Sequence, residues 1–275
     1  MNLTLPLQLL VVAVFLALAM AATHRVQLRR RDAGLVDAVW SGSFAPVAVF
    51  LALTTPGDPV RRGLVAVLVA AWSLRLATHL VGDRLTGEVE EDGRYRRLRE
   101  EKGDGFSRWL VWFDQAQGLS VVLLAIPLRL ALANEAPLGP LDLVAAALIV
   151  TSIVGESIAD RQLARFRRDP ANRGRVCRDG LWRFSRHPNY FFEWLHWLAY
   201  PLWAFGAPYG AVAWLAPAAM LFLILKVTGI PPTEEQALRS RGDAYREYQR
   251  TTSAFFPWFP REDGASAPAP RENAP

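Results

Sequence analysis

The stretch LTLPLQLLVVAVFLALAMAA, residues 3–22, carries no charged side chain at any position. A helix rises about 1.5 Å per residue, so a segment of this length spans the roughly 30 Å hydrocarbon core of a bilayer. The stretch therefore predicts a transmembrane helix. No basic residue precedes it, whereas Arg25 and Arg29 follow it, and this order favours an uncleaved helix over a signal peptide.

Six more apolar runs of similar length predict further membrane-spanning helices. They lie at residues 35–54, 64–81, 109–128, 141–159, 190–206 and 210–228. Runs of this length fit helices, which satisfy their backbone hydrogen bonds internally in lipid. The sequence thus predicts an all-α polytopic membrane protein with about seven transmembrane helices. Residues 1–260 are expected to form a single domain, and the Ala- and Pro-rich residues 261–275 a disordered tail.

The basic residues indicate how the chain is oriented. Of the 31 Lys and Arg residues, 27 lie at residues 23–34, 82–108, 160–189 and from 226 onward. Arg61, Arg62 and Arg129 lie in the loops on the other side. Because cytoplasmic loops are enriched in Lys and Arg, the sequence predicts an outside N-terminus and a cytoplasmic C-terminus in the cell (inner) membrane. This distribution also explains the net charge of +5 without a nucleic-acid partner.

Cysteine and histidine give no sign of a disulfide or a metal site. Cys177 is the single cysteine of the sequence. The four histidines are scattered and lack the spacing of metal ligands. No metal is therefore predicted.

Polar residues inside a predicted helix mark candidate sites, because an ionisable group in lipid costs roughly 2.5–3.5 kcal/mol. In the run at 190–206 and just before it, Asn189, Glu193 and His196 recur at helical spacing, and Tyr200 adds one turn. This stripe favours the lining of a pocket. The alternative is interhelical hydrogen bonding that only fixes packing.

Two further pairs share a helical face. Arg75 and His79 are four residues apart on the side of Trp72. They fit either hydrogen-bond donors at a ligand pocket or a structural ion pair with Glu156. Asp160 follows Glu156 by four residues at the cytoplasmic end of its run. Both acidic residues are candidates for a functional role.

The motif GLWRFSRHPNYFFE, residues 180–193, is the most distinctive of the sequence. Arg183, Arg186 and His187 stand before Pro188, which fits the first turn of a helix. A helix N-terminus flanked by basic residues suits an anion such as a phosphate. Arg186 and His187 are therefore predicted to contact a phosphorylated cofactor.

The stretch 234–250 is amphipathic if it is helical, with Leu238, Arg241, Tyr245 and Tyr248 on one face. Tyrosine and arginine suit hydrogen bonding and stacking against a phosphorylated nucleotide. A helix that lies on the lipid surface is the alternative. The residues alone thus predict a cytoplasm-facing site, where a charged cofactor meets an apolar substrate from the bilayer.

Several stretches together resemble bacterial members of the steroid 5-alpha-reductase-like membrane family. They are GESIADRQ at 155–162, the motif at 180–190, GIPP at 229–232, YREY at 245–248 and TSAFFP at 252–257, with Asp83, Arg84 and the residues 91–95 also fitting. The resemblance covers nearly the whole chain to about Pro260. Sterol reductases and isoprenylcysteine methyltransferases are related and share versions of the His-Pro-Asn-Tyr piece.

The resemblance implies a seven-helix fold in which NADPH enters from the cytoplasm and hydride passes to an enone. Asn189 and Glu193 resemble the residues that hold the nicotinamide amide. The other contacts that it implies to the dinucleotide are Asp160, Arg167, Arg94, Tyr95, Arg241, Tyr245 and Tyr248. Trp72 aligns roughly where steroid enzymes carry a tyrosine that binds the substrate ketone.

Two departures from the family pattern concern the site. Phe192 stands where the family usually has glycine, and Trp40 begins a Trp-Ser-Gly-Ser segment in place of a Gln-Glu pair that grips the ketone. The second departure disfavours a 3-oxosteroid as substrate. Tyr190, His79 and His196 are the candidate proton donors.

The sequence therefore predicts an oxidoreductase acting on CH-CH groups with NADPH, on a steroid- or isoprenoid-like enone, with membrane lipids as neighbours. An S-adenosylmethionine-dependent methyltransferase of the isoprenylcysteine type is the alternative, because Glu234 and Glu235 also resemble that family's ending. A non-catalytic lipid-binding protein is a third reading. Arginine-rich loops fit a cofactor with several phosphates better than one with a sulfonium.

Overall fold

The computed structural model describes residues 3–85, 91 and 93–261, without the side chains of residues 83–85. Within these ranges the chain is all-helical. The helices are α1 (Leu5–Arg30), α2 (Leu35–Thr54), α3 (Pro59–Leu85), α4 (Gly93–Lys102), α5 (Phe106–Leu132), α6 (Pro140–Arg168), α7 (Pro188–Trp197), α8 (Ala199–Trp203), α9 (Leu215–Phe222), α10 (Ile230–Arg241) and α11 (Asp243–Thr251). The Asp83 and Arg84 side chains, Asp92, and the predicted tail from residue 262 lie outside the described part.

Six helical segments of the described chain are long and apolar enough to cross a membrane. Four are the helices α1, α2, α3 and α6, and the other two are the segment ending with α5 and the one containing α9. They match six of the seven predicted apolar runs. The prediction of an all-α membrane protein is confirmed, and the orientation and the kind of membrane stay predictions.

The apolar run at 190–206 does not form one continuous spanning helix. It is divided between α7 and α8, and Leu198 N–H bonds to Leu195 O in a tighter turn. Pro201 explains the break, because it lacks the N–H that would donate to the carbonyl of Trp197 and its ring clashes with that carbonyl. Hydropathy alone predicted a span here, and the proline changes the outcome.

The chain divides into two compact units. The large unit comprises Met1–Ile153 and Leu195–Met220, and the small unit comprises Val154–Trp194 and Leu221–Pro275. The sequence predicted a single domain over residues 1–260. The division into two compact units does not test that prediction.

In the large unit, a serine of α3 inserts into the hydrogen-bond ladder of α2. Ser73 Oγ donates to Ser41 O at 2.5 Å and accepts from Ala45 N at 3.0 Å. These two backbone groups would bond each other in a regular helix. The inserted hydroxyl satisfies both of them one residue before Pro46 and fixes the register between α2 and α3.

Buried aromatic rings fill the centre of the large unit. Trp72 stacks on His196 with ring centroids 4.0 Å apart, and Phe44 and Trp197 meet Trp72 edge to face. Such pairs contribute about 0.5–1.5 kcal/mol each beyond the area that they bury. This packing holds His196 and Trp197 against α2 and α3.

An arginine clamp holds the loop between α5 and α6. Arg61, 2% exposed, donates to both carboxylate oxygens of Asp142 at 2.6 and 3.0 Å. It also donates to the carbonyls of Asn134, Ala136 and Pro137 at 2.8, 2.7 and 3.3 Å. Arg61, which the topology prediction treats as a charged loop residue, is thus a buried side chain that stabilises the loop.

The small unit is built around residues 180–193. Trp182 Nε1 donates to Ala159 O at 2.9 Å, and Gln162 Oε1 accepts from Leu181 N at 2.9 Å. These bonds attach the motif to the second half of α6. Cys177 lies buried close to this segment in the chain.

The amphipathic stretch 234–250 is not one helix, which corrects the prediction of a continuous face. It is broken at Gly242, whose φ of 52° favours glycine and separates α10 from α11. Leu238, Tyr245 and Tyr248 still pack together in one cluster. Arg241 departs from them, because its Nε donates to Arg175 O at 2.9 Å.

Candidate functional site

Glu234 on α10 is the centre of a polar network in the small unit. Its Oε1 accepts from Arg186 Nε at 2.7 Å and lies 3.2 Å from His187 Nε2, and its Oε2 accepts from Gln249 at 2.8 Å. Tyr245 Oη donates to the same carboxylate at 3.4 Å. The network ties the basic motif to the two C-terminal helices. Sequence reasoning noticed Glu234 only as part of a methyltransferase-like ending.

Arg186 also binds the end of α11. One terminal nitrogen donates to the carbonyls of Gln249 and Thr252 at 3.0 and 2.6 Å. Its side chain is 10% exposed. Arg186 therefore acts as a cross-link within the unit, and His187 lies beside it with its pKa lowered by burial. A neutral His187 at pH 7 follows.

The two tyrosines of α11 are buried. Tyr245 is 5% exposed and Tyr248 is 2% exposed. Tyr248 Oη donates to the carbonyls of Trp182 and Ser185, and burial raises the pKa of both tyrosines so that they stay protonated donors. The Tyr248 hydroxyl therefore holds the 180–193 segment in place, and the Tyr245 hydroxyl supports Glu234.

Asn189, Asp160 and Glu193 all lie in the small unit. Asn189 Nδ2 donates to Asp160 Oδ1 at 3.4 Å, and Asp160 is 7% exposed. Glu193 is half-buried one turn further along α7. The hydrogen bond to a buried carboxylate fixes the orientation of the Asn189 amide. A side chain that recognises another amide needs such a fixed orientation. The Asn189–Asp160 bond thus links two of the predicted site residues directly.

Tyr190 follows Asn189 and is held on two sides. Its Oη lies 3.1 Å from Thr233 Oγ1, and its ring stacks on His187 with centroids 5.3 Å apart and an angle of 6°. Thr233 was not predicted as a site residue. The hydroxyl pair can relay or hold a proton at Tyr190 Oη.

Phe192 packs face-on against Gly155 of α6. A Cβ built on Gly155 would lie 2.3–2.6 Å from three carbons of the Phe192 ring. The glycine of the 155–162 stretch is thus needed to admit the phenylalanine that departs from the family pattern. Sequence reasoning named both residues without linking them.

Replacing Gly155 with alanine is expected to destabilise the protein by about 1–3 kcal/mol, because the ring must move to admit the methyl group. Thermal unfolding in detergent measures the loss. Gly63→Ala is the matched control, since a Cβ there meets nothing within 4 Å and alanine favours a helix. Adding Phe192→Ala to Gly155→Ala should restore part of the loss, and an unaffected single variant would contradict the close packing.

A basic cleft of about 320 Å³ opens in the small unit. It is lined by Arg178, Arg183, Thr251, Thr252, Pro260 and Arg261. Arg178 bonds Glu247 at 3.1 Å, whereas the side chains of Arg183 and Arg261 make no hydrogen bond or ion pair with any described residue. Three arginines around one cleft, of which only Arg178 is paired with a carboxylate among the described residues, favour an anion. Of the three, the prediction named Arg183 alone as anion-binding.

The remaining predicted residues are distributed over both units. Arg167 is exposed at the end of α6 in the small unit, and His79 is half-buried on α3 in the large unit. Arg94 and Tyr95, also in the large unit, bond Asp37 at 3.4 and 3.0 Å. Asp37 was not predicted. The roles assigned to all these residues stay predictions.

The histidine of the sixth run belongs to the buried aromatic centre of the large unit. His196 Nε2 lies 2.6 Å from Tyr200 Oη, while His196 Nδ1 and Trp203 Nε1 are buried without a hydrogen-bond partner among the described residues. Buried polar atoms without partners are rare.

The predicted stripe of Asn189, Glu193, His196 and Tyr200 is divided between the two units. Asn189 and Glu193 lie in the small unit, and His196 and Tyr200 lie in the large one.

Comparisons with known proteins give a family and one distant relative. The family described as "Protein of unknown function (DUF1295)" matches residues 23–252. An uncharacterized protein of Schizosaccharomyces pombe, C594.04c, is 28% identical over 228 residues, which are 74% of this chain and 64% of that protein. The chain thus spans less than two thirds of this relative's length. No solved structure matches.

Proposed function

The chain belongs to the DUF1295 family, and from that premise we propose that it is an NADPH-dependent membrane reductase of a C=C bond in a lipophilic enone. The observation that carries the proposal is the basic cleft of the small unit, lined by Arg178, Arg183 and Arg261. The six segments that are long and apolar enough to cross a membrane supply the other half of the argument, since a protein embedded in a bilayer can receive an apolar substrate from it.

The donor set of the cleft fits a cofactor with several phosphates. A guanidinium group can donate two parallel hydrogen bonds to two oxygens of one phosphate. The hydroxyls of Thr251 and Thr252 add neutral donors. S-adenosylmethionine carries a sulfonium and one carboxylate, so arginines without counter-charges would repel its cationic part. The chemistry of the cleft favours NADPH over S-adenosylmethionine for this reason.

Other residues of the small unit would hold the rest of the dinucleotide. Asn189, oriented by Asp160, and Glu193 are assigned to the nicotinamide amide, by resemblance and by the bond described above. Arg167 and Arg241 are assigned to the adenosine end. Arg186, His187, Tyr245 and Tyr248 support the site through Glu234 and the backbone of residues 182–185, because their polar groups are already bonded there.

When bound, NADPH would supply the hydride for the β carbon of the enone, and the chain would supply the proton for the α carbon. Tyr190 is assigned as the proton donor, with Thr233 Oγ1 beside its hydroxyl and neutral His187 against its ring. The C=C bond becomes a C–C bond with one hydride and one proton gained. The roles that the sequence predicts for Trp72 and His79, which lie in the large unit, stay predictions.

Titration of the detergent-purified protein with NADPH and with S-adenosylmethionine, read by thermal unfolding, tests the proposal. Stabilisation should follow the logarithm of free NADPH over its Kd, reaching about 2.7 kcal/mol at a hundredfold excess. A shift with S-adenosylmethionine alone would replace the reductase with the methyltransferase. A shift with neither would leave a lipid-binding protein.

The double variant Arg183→Ala/Arg261→Ala is expected to weaken NADPH binding at least tenfold, because a charge-assisted hydrogen bond contributes roughly 1.5–3 kcal/mol. Arg246→Ala is the matched control, since Arg246 is exposed and pairs with Asp243 at 2.6 Å. Thermal-shift titrations compare the two. Equal affinities in the variant and the control would remove the cleft from the proposal.

A further inference from the structure

A second cavity, of about 470 Å³, lies in the large unit. It is bounded by the start of α1, the loops after α2 and α5, and the turn after α8. Leu5, Pro56, Ile126 and Leu130 give it apolar walls. Its lining residues lie in loops, at the start of α1 or in the last two turns of α5, which places it near the level where spanning helices leave the hydrocarbon.

Two opposite charges line this apolar cavity. Arg129 donates from Nε to Gln8 Oε1 at 2.8 Å, which orients its guanidinium, and Glu135 is exposed in the loop that follows α5. The structure has no ion pair between these two described residues. Arg129 can therefore bind a negative group of a ligand, and Glu135 can bind a positive group of the same ligand. Arg61 and Arg62, the other basic residues counted on this side, are engaged by loop carbonyls.

Exposed aromatic residues mark the same end of the unit as interfacial. Phe205 is 69% exposed, Tyr209 82% and Trp214 53%. Aromatic rings concentrate where a membrane meets water. Tyr209 also has a φ of 61°, which is uncommon for a residue with a side chain, and it lines the cavity. The cavity thus lies beside the headgroup region of a bilayer.

We propose that this cavity binds the headgroup end of a phosphoethanolamine phospholipid. The phosphate lies on Arg129, the primary ammonium donates to Glu135, and the first acyl carbons pack against Leu5, Ile126 and Leu130. An anionic lipid without the ammonium would face Glu135 with a like charge. A choline headgroup has no N–H to donate to the carboxylate. This inference does not depend on the proposed reductase activity.

Native mass spectrometry of the detergent-purified protein tests the proposal with added phosphatidylethanolamine, phosphatidylglycerol and phosphatidylcholine. Phosphatidylethanolamine is expected to bind at least tenfold more tightly than either of the others. Glu135→Gln should remove this preference while leaving the thermal stability unchanged, because Glu135 is exposed. Arg129→Gln should weaken all three lipids, although it also leaves buried Gln8 without its donor.

Arg108→Gln is the control, since Arg108 is exposed at the opposite end of α5. It should leave every lipid affinity unchanged. Equal binding of the three lipids, or an unchanged preference in Glu135→Gln, overturns the proposal. So does competition by inorganic phosphate at the concentration of the lipid, because the site would then be a plain anion site.

Discussion

Replacing Glu234 with alanine is expected to cost about 3–5 kcal/mol of stability, the range for removing one partner of a buried ion pair. Its side chain is 14% exposed, and those of Arg186 and His187 are 10% and 4% exposed. The change leaves the Arg186 guanidinium facing a site that no longer carries negative charge. Thermal unfolding in detergent should show a loss of roughly 10 °C.

Two companion variants separate this effect from general helix damage. Glu235→Ala removes the neighbouring carboxylate on α10, which pairs with Arg239 on the surface with both side chains about half exposed. Such a pair contributes about 0–1 kcal/mol, so little change is expected. Glu234→Gln keeps an acceptor oxygen and should fall between the two. Equal losses of stability in Glu234→Ala and Glu235→Ala would show that the network around Glu234 does not stabilise the protein.

Replacing Arg61 with methionine is expected to be at least as damaging to the large unit. The change leaves Asp142, whose side chain is 6% exposed, without its bidentate partner, and it leaves three loop carbonyls without a donor. The expected cost is about 3–5 kcal/mol, again read as a fall in the unfolding temperature. The loop between α5 and α6 should also become sensitive to protease, because its carbonyls lose the clamp.

Arg62→Met is the adjacent control, since Arg62 bonds the carbonyls of Ala52 and Thr55 and pairs with no carboxylate among the described residues. The double variant Arg61→Met/Asp142→Leu should be more stable than Arg61→Met alone, because it removes the orphaned charge. If the double variant were instead as unstable as the sum of its parts, the carboxylate would not be the source of the cost.

The helices of the membrane part were predictable because their signal is simple. Six of the seven apolar runs lie in helical segments that are long enough to span a membrane. The length of an apolar run is itself the physical requirement for spanning, so the sequence reveals it directly. The exception was visible in the sequence as Pro201, but hydropathy does not record a missing N–H. The polar helix α4 was not predicted, because no apolar periodicity marks it.

The candidate site was predictable in composition and less so in arrangement. The sequence named Asn189 and Asp160 as site residues but did not predict the hydrogen bond between them. The sequence did not indicate that Tyr245 and Tyr248 are buried, because a spacing of three residues is equally compatible with an exposed or a covered face. It also gave no reason to join Arg261 to Arg178 and Arg183, because Arg261 lies far from both in the chain and meets them only after folding.

The burial of Cys177 makes the natural chain a ready background for chemical mapping of its orientation. The thiol is 6% exposed and burial raises its pKa, so it stays protonated and covered when a thiolate-selective reagent is added. A cysteine introduced at an exposed loop position would then be the main site to take up an impermeant label. Labelling intact cells and opened membranes side by side would assign each loop to its compartment without first removing a native thiol.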